Sequence, residues 1–379
     1  MLMVSAPSPN AVARAAITVG MAETLAAEWQ GLARDASEPN AFGAPWFVGP
    51  ALSHLRGDRD VRLAEVRSDD GALIGIMPLT LYTRYGRMPV RHVSNWTHYQ
   101  CFMGTPLIKA GYETAFWKAI IALLDDSDWA TGLFTVSGLL EDGPVHQGLI
   151  TAAATLKRPS PIVHRHDRAA LSSTLTPDTY LDTHVRGKKR KELRRLANRL
   201  RDLGSVEFNV LERNDALPTW CDDFLTLESA GWKGEHGAAL GNTPQTTAFF
   251  REMMAGAFAA GALDFQRITL DGRPIAMLIN FRTPPGSWSF KIAYDENLAR
   301  YSPGVLIELE NLPRVLGDPV IAWMDSCAVA DHSMINSFWA ERRSIIQVSI
   351  PLSGARRALT YYACRKAENA SAWLRKIRT

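Results

Sequence analysis

The alternation of apolar and polar residues is strongest on either side of two acidic-glycine pairs. Around Asp70-Gly71 the string VRLAEVRSDDGALIGIMPLTLY, and around Asp271-Gly272 the string LDFQRITLDGRPIAMLINF, switch faces residue by residue. A period of two places successive side chains on opposite faces of a strand, and an acidic-Gly pair supplies the tight turn between strands. Each string therefore predicts a β-hairpin.

Around the hairpins the period changes. Helical segments are predicted over 21–34 before the first hairpin, and over 217–230 and 245–260 before the second. After the first come a strand at 88–94, a helix at 112–125, a strand at 130–137, a helix at 144–156 and a strand at 161–171. After the second the same order recurs at 287–295, 303–316, 320–327, 333–342 and 344–350. Two copies of one unit follow. Each is an α/β (α+β) domain with a mixed, twisted sheet flanked by helices, because crossover helices have to cover the strands they connect.

A chain of 379 residues fits two cores better than one. The boundary is expected between Ser172 and Asp182, giving domains 1–172 and 173–379. Thr176-Pro177 reads there as a helix cap followed by a first-turn proline. Leu193, Leu196, Ala197, Leu200 and Leu203 then lie at helical spacing, so this stretch is an amphipathic helix with a cationic outer face.

Charge sharpens this picture. The net charge is only +3, yet residues 186–201 hold nine basic residues against one acid, and residues 354–379 hold seven against one. The remainder of the chain is acidic. Such concentration points to an anionic partner, against the plainer reading of a solvated helix face. Trp373, Leu374 and Ile377 among Arg375, Lys376 and Arg378 favour peripheral contact with an anionic membrane surface.

The four cysteines lie far apart, with no CxxC pair or His/Cys cluster, so no metal is expected. Residues 1–20 lack the features of a signal peptide, and no apolar run reaches membrane-spanning length. A cytoplasmic protein, peripheral on the inner face of the cytoplasmic membrane, is expected.

The strongest local constellation is SWSFKIAYDENLARYSPGVLIELENL, in which Trp288, Phe290, Ile292 and Tyr294 are expected to share one face of a strand. Strand, loop, helix is the order in which backbone amides gather at a helix start to hold an anion. Ser302 can cap the helix, Pro303 suits its first position, Gly304 offers no Cβ, and Arg300 adds charge. The same residues also read as nothing more than a good helix start.

Here the sequence resembles a known family. The hairpin, strand, loop Arg300-Tyr301-Ser302-Pro303-Gly304-Val305 and helix resemble the coenzyme A segment of the GCN-type N-acetyltransferase (GNAT) superfamily. The strings GWKGEHGAAL (231–240), WSFKIAYDENLARYSPGV (288–305) and MDSCAVADHSMINSFW (324–339) resemble its CelD/BcsL-type bacterial branch, related to the Fem-type aminoacyltransferases. The resemblance covers most of 175–350 and implies that these six loop residues hold the diphosphate of acyl-CoA. Leu306 departs from the second small residue usual in that loop, and Gly104-Thr105-Pro106 in the first half retains less of it. The second domain is thus expected to bind the donor, and the first to shape the acceptor pocket.

Acyl transfer to an amine needs a base, oxyanion donors and a proton for the leaving thiolate. His332, expected at a helix start, is the leading base, with Asp325 at the end of the strand VIAWMDSC and His98 in NWTHYQCFMGTP as further candidates. The plainer readings are an exposed first-turn His332, a local hydrogen-bonding Asp325 and an ordinary aromatic loop at His98. Trp96, Tyr99, Trp232, Lys233, Lys291 and Tyr294 are expected to line the substrate. No nucleophile elbow, Walker loop or dinucleotide fingerprint is present, which argues against hydrolase, nucleotidase and dehydrogenase chemistry.

The resemblance implies an acyl-CoA-dependent N-acyltransferase that moves groups other than aminoacyl groups. The acceptor is expected to be a long-chain lipid amine, as in bacterial ceramide synthases. The competing readings are an amino sugar of exopolysaccharide synthesis, Fem-type transfer from aminoacyl-tRNA, and a non-catalytic module that binds RNA or a partner. Nucleic acid is not the expected partner.

Overall fold

The computed structural model describes residues 13–18, 23–231, 234 and 236–378. The chain divides into two compact units. The first comprises Met1–Pro45, Arg56–His166 and Ser344–Thr379, and the second Trp46–Leu55 and Asp167–Arg343.

In chain order the first unit contributes β1 (Ala13–Thr18) and α1 (Glu23–Asp35). After α2 (Pro45–His54), which groups with the second unit from Trp46 on, come β2 (Val61–Ser68), β3 (Leu73–Tyr82), β4 (His92–Asn95) and β5 (Leu107–Ile108). Next are α3 (Glu113–Asp126), β6 (Leu133–Leu140), α4 (Pro144–Thr155) and β7 (Ile162–Leu171). The second unit adds α5 (Pro177–His184), α6 (Gly187–Arg201), β8 (Val206–Val210), α7 (Leu217–Ser229) and α8 (Pro244–Ala259). It continues with β9 (Leu263–Leu270), β10 (Arg273–Thr283), β11 (Gly286–Tyr294), α9 (Pro303–Leu316) and β12 (Trp323–Asp325). Finally β13 (Glu341–Pro351) leads back into the first unit, which α10 (Ala355–Arg378) completes.

Strand order is β1-β2-β3-β4-β6-β13-β7 in the first unit, with β5 on β3, and β7-β12-β11-β10-β9-β8 in the second. The connectivity is duplicated. β2–β3 and β9–β10 are antiparallel hairpins, β3–β4 and β10–β11 are antiparallel, and β4–β6 and β11–β12 are parallel across a helix. The second hairpin turns as its sequence predicts: Asp271 and Gly272 have φ of 50° and 78°, the two positive values that match the twist of the flanking strands.

The first core lies between one sheet face and α3 and α4. Val66, Val93, Phe134, Val136, Val348 and Ile350 meet Trp117, Ile120, Leu124 and Leu149, all fully or nearly fully buried. Each such side chain contributes about 1.5–3 kcal/mol relative to exposure. Gly75 is a packing requirement, since a Cβ there would lie 2.2 Å from the Phe116 ring.

Two expectations differ from the fold. The boundary falls at Asp167, and Ser344–Thr379 belongs to the first unit instead of closing the second. β13 pairs with β6 from Ile345↔Leu140 to Pro351↔Leu133, and Tyr361 and Cys364 of α10 pack with Tyr85 and Leu133. The helix expected over 333–342 also does not form. Only a 3-10 turn, Ile335–Ser337, precedes β13, because Ile335, Phe338 and Trp339 are buried with Tyr180 and Leu312 in one cluster. The Tyr180 hydroxyl fixes the exit, accepting from the Ala340 amide at 2.9 Å and donating to Glu341 at 2.8 Å.

The segment at 176–201 folds as its residues predict. Thr176 accepts from the Thr179 amide at 3.3 Å ahead of Pro177, and α6 buries Leu193, Leu196 and Leu200 while Lys188, Lys191, Arg194, Arg195, Arg199 and Arg201 are exposed. Among the described residues no helix is long and apolar enough to cross a membrane.

Candidate functional site

β11 and β12 run parallel for three residue pairs, Gly286↔Trp323, Ser287↔Met324 and Trp288↔Asp325, where β12 ends while β11 continues to Tyr294. Just past this parting β11 bulges: Lys291 faces Ile279 and Ser289 faces Asn280, leaving Phe290 as the extra residue. The bulge splits the face expected to be shared. Phe290 packs on Phe281 and Phe47, whereas Ile292 and Tyr294 pack towards Leu306 and Ile307 of α9.

The loop after β11 is tightly built. Asp295 accepts from the Asn297 amide at 3.0 Å and from Arg273 at 2.7 Å, which holds its carboxyl below the usual carboxylate range against the opposing effect of burial. A 3-10 turn then brings Arg300 over the ring of buried Tyr301 at 4.8 Å, and Arg199 of α6 approaches the same ring at 6.0 Å. Two guanidinium groups thus flank the start of α9.

Ser302 adopts the left-handed region (φ 54°, ψ 50°), as a residue barred by the following proline from the ordinary helical region. Its side chain makes no capping bond; its carbonyl instead accepts from the amides of Val305 at 2.9 Å and Leu306 at 3.0 Å. Gly304 follows the proline, and a Cβ there would stand 3.0 Å from Tyr294 Cδ1. A side chain there would press on the Tyr294 ring, so glycine eases the seating of the helix against β11. Arg300, Tyr301, Ser302, Pro303, Gly304 and Val305 are thus brought together at one corner of the second unit.

Asp325 is fully buried and held on several sides. Arg168 places Nε 2.7 Å from Oδ1 and donates from Nη2 to Oδ2 at 2.9 Å, Arg343 Nη1 lies 3.5 Å from Oδ2, and the Cys327 amide donates to Oδ1 at 2.9 Å. Its lone pairs are committed, so the geometry fits an anchoring role better than proton abstraction. Lys291 is likewise committed: Nζ sits 3.4 Å from Glu228 Oε1, and Glu228 Oε2 accepts from the Leu240 amide at 2.8 Å.

His332 lies half-buried in a turn beyond β12, not at a helix start, and its Nδ1 faces the Ile335 amide at 3.4 Å. His98 belongs to the first unit. Its ring is 5.1 Å from buried Trp96, Nδ1 accepts from the Gln100 amide at 3.4 Å, and burial pushes its pKa down to about 4. Tyr99 beside it is 73% exposed, which leaves it outside any closed pocket wall. Trp232 and Lys233 lie outside the described residues.

A buried polar cluster went unread in the sequence. Gln266 donates to Asp264 at 2.7 Å and to Asn311 at 3.0 Å, Asn280 donates to Asn311 at 2.9 Å, and Asn311 donates to Glu308 at 3.3 Å. Burial raises the Glu308 carboxyl to about 7, with the Asn311 contact working against it. The available signal was the spacing Gly304, Glu308, Asn311, a polar stripe inside the apolar face of α9. No group of three His, Cys, Asp or Glu side chains among the described residues is arranged to hold a metal ion.

Residues 187–326, which contain this corner, match the family described as an acetyltransferase (GNAT) domain. No curated protein matches the chain in sequence. Among solved structures, a conserved protein of unknown function from Bacteroides thetaiotaomicron VPI-5482 is similar at TM-score 0.55 and 12% identity, over 86% of this chain and 97% of that one. FemX is similar at TM-score 0.53 and 9% identity, over 88% and 96%. L-PGS from Bacillus licheniformis is similar at TM-score 0.52 and 11% identity, over 89% and 96%. At such identities the likeness is one of fold, and its coverage extends over both units. The fold is thus a mixed α/β architecture of tandem GNAT-like units.

Proposed function

We propose that the protein is an acyl-CoA-dependent N-acyltransferase whose donor site lies in the second unit. The observation that carries this reading is the parting of β11 from β12 after Trp288 and Asp325, next to a bulge and a helix start flanked by Arg199 and Arg300. The family match over 187–326 supports it, since GNAT domains generally use acyl-CoA.

In this reading Arg300 through Val305 hold the donor's diphosphate, with the Arg300 guanidinium, the Gly304 amide and the helix dipole favouring negative charge. A base takes a proton from the acceptor ammonium, and the freed amine attacks the thioester carbonyl. The tetrahedral oxyanion collapses, the carbon–sulfur bond breaks, and the departing thiolate takes up the second proton that the attacking nitrogen gives up. His332, in the same unit as the donor loop, is the proposed base. Asp325 positions the β12 end through Arg168. Trp232, Lys233, Lys291 and Tyr294 of the second unit are proposed around the substrate, with Lys291 acting through Glu228.

The proposed acceptor is a long-chain lipid amine. The exposed cationic face of α6 supports this, because an amphipathic basic helix gains at an anionic membrane surface from charge and apolar burial together. Peripheral attachment to the inner face of the cytoplasmic membrane follows from the same reading.

The test is to incubate the purified protein with acyl-CoAs of varied chain length and with sphingoid bases or amino sugars, following free thiol release. Thiol release with long-chain acyl-CoA and a sphingoid base is expected. Turnover of acetyl-CoA with amino sugars alone overturns the lipid acceptor, and turnover only with aminoacyl-tRNA overturns the donor.

A further inference from the structure

A cavity of roughly 1000 Å³ opens on the sheet of the first unit. β4, β6 and β13 place Val93, Val136 and Val348 against α3 and α4, so by the period of two their alternate residues point to the opposite face. Those residues are Ser94, Thr135, Ser137 and Gln347, and all four line the cavity. A sheet face built only to be covered would be apolar, because each buried hydroxyl or amide loses its water.

Thr135 gives this face a direction. It is fully buried, and its Oγ1 has no hydrogen-bond partner. The neighbouring Ser94 hydroxyl is satisfied, its single proton having the Thr135 carbonyl at 2.9 Å as acceptor, with Asn95 Oδ1 at 3.1 Å. An unmet polar atom at the floor of an open cavity calls for a partner from outside the chain.

The rim supplies charge. Arg84 and Arg87 line the cavity from an exposed turn closed by the Tyr85–Met88 bridge, and neither is ion-paired among the described residues. Glu368, the acid on the same wall, is already engaged by Arg365 and by the Tyr85 hydroxyl. Burial holds His92 below the usual histidine range, so it adds a hydrogen-bonding ring and no charge at neutral pH. Guanidinium groups match phosphate oxygens in pairs, while Ser, Thr and Gln side chains match hydroxyl groups.

We infer that this cavity binds a phosphate ester of a polyol, with the phosphate at Arg84 and Arg87 and the hydroxyl groups over Thr135, Ser137 and Gln347. This site belongs to the first unit and the proposed donor loop to the second, and the inference does not depend on the reading given to that loop. Two sources share the chemistry, a soluble sugar phosphate and a glycerophospholipid headgroup.

The experiment is calorimetry on the full chain with glycerol 3-phosphate, glucose 6-phosphate and inorganic phosphate, beside sedimentation with phosphatidylglycerol vesicles. Saturable binding of an ester or of vesicles is expected, at least tenfold tighter for an ester than for inorganic phosphate and unchanged by excess coenzyme A. Arg87→Ala and Thr135→Val are expected to weaken it at least tenfold, and Thr135→Ser to retain it. Thr135→Val keeps the side-chain volume and removes an unmet hydroxyl, so it should melt no lower than the parent, which separates lost binding from lost folding. Binding of the soluble esters identifies a sugar phosphate, and vesicle binding that Thr135→Val abolishes identifies a lipid headgroup. The inference is overturned by no saturable binding, by equal affinity for inorganic phosphate, or by binding that survives both Arg87→Ala and Thr135→Val.

Discussion

Arg168 and Asp325, 157 residues apart in sequence, form a buried ion pair with Nε 2.7 Å from Oδ1 and Nη2 2.9 Å from Oδ2. The pair ties β7 to the end of β12, next to the point where β11 and β12 part. Removing one partner strands a charge without solvent. Arg168→Ala is expected to cost about 3–5 kcal/mol, whereas an apolar set such as Arg168→Met, Asp325→Leu and Arg343→Met should recover most of that loss, since Arg343 shares the same carboxylate. Urea denaturation followed by tryptophan fluorescence measures both, and an Arg168→Ala variant as stable as the parent would refute the anchoring role.

His332→Ala is expected to lower kcat by about 10²–10⁴-fold with little change in donor affinity, the signature of a lost base. Steady-state kinetics beside coenzyme A calorimetry reads both quantities. Full turnover in this variant would refute His332 as the base.

Gly304→Val crowds Tyr294, whose Cδ1 would already stand 3.0 Å from a Cβ. Coenzyme A binding is expected to weaken at least about tenfold as the helix start is displaced, a change of about 1.4 kcal/mol. Calorimetry at fixed ionic strength tests this, and an unchanged dissociation constant would remove the corner from the donor site.

His98 and Glu308 give stability opposite pH slopes. Burial lowers His98 from 6.5 to about 4, so between those values the unfolded chain takes a proton that the folded chain refuses, and stability falls as pH falls. Burial raises Glu308 from 4.5 to about 7, so its contribution is complete below 4.5 and is lost as pH rises through 7. Each effect amounts to about 3 kcal/mol across its window, and in the parent the two largely cancel. Only variants separate them: His98→Gln should lose stability with rising pH between 4.5 and 7, and Glu308→Gln should gain it. Denaturant titrations at pH 4.5, 5.5 and 7 check the slopes.

The local backbone of the proposed donor corner was partly legible in the residues, since a strand ends at Tyr294 and Pro303 opens a helix. The run from Arg300 to Val305 reads as an anion-binding helix start because cap, proline and glycine act on the backbone within one turn. What it concealed was the Ser302 backbone, whose left-handed conformation removes the expected side-chain cap, and the Tyr294 ring that explains Gly304. Glu308 accepts from Asn311 on its own helix, but Asn280 and Asp264, which complete the polar cluster, come from two strands that reach this helix only on folding. The helix expected at 333–342 gave way to a 3-10 turn because Phe338 and Trp339 found buried partners in Tyr180 and Leu312.

Periodicity along the chain determined the two hairpins, the repeated order of strands and helices except at 333–342, and the basic amphipathic helix, because each depends on neighbours a few residues away. Only the tertiary structure decided that β13 and α10 return to the first unit, that Asp325 is bound by Arg168, and that Thr135 faces a cavity. Those outcomes depend on which distant surfaces exclude water from one another, and no local pattern carries that information.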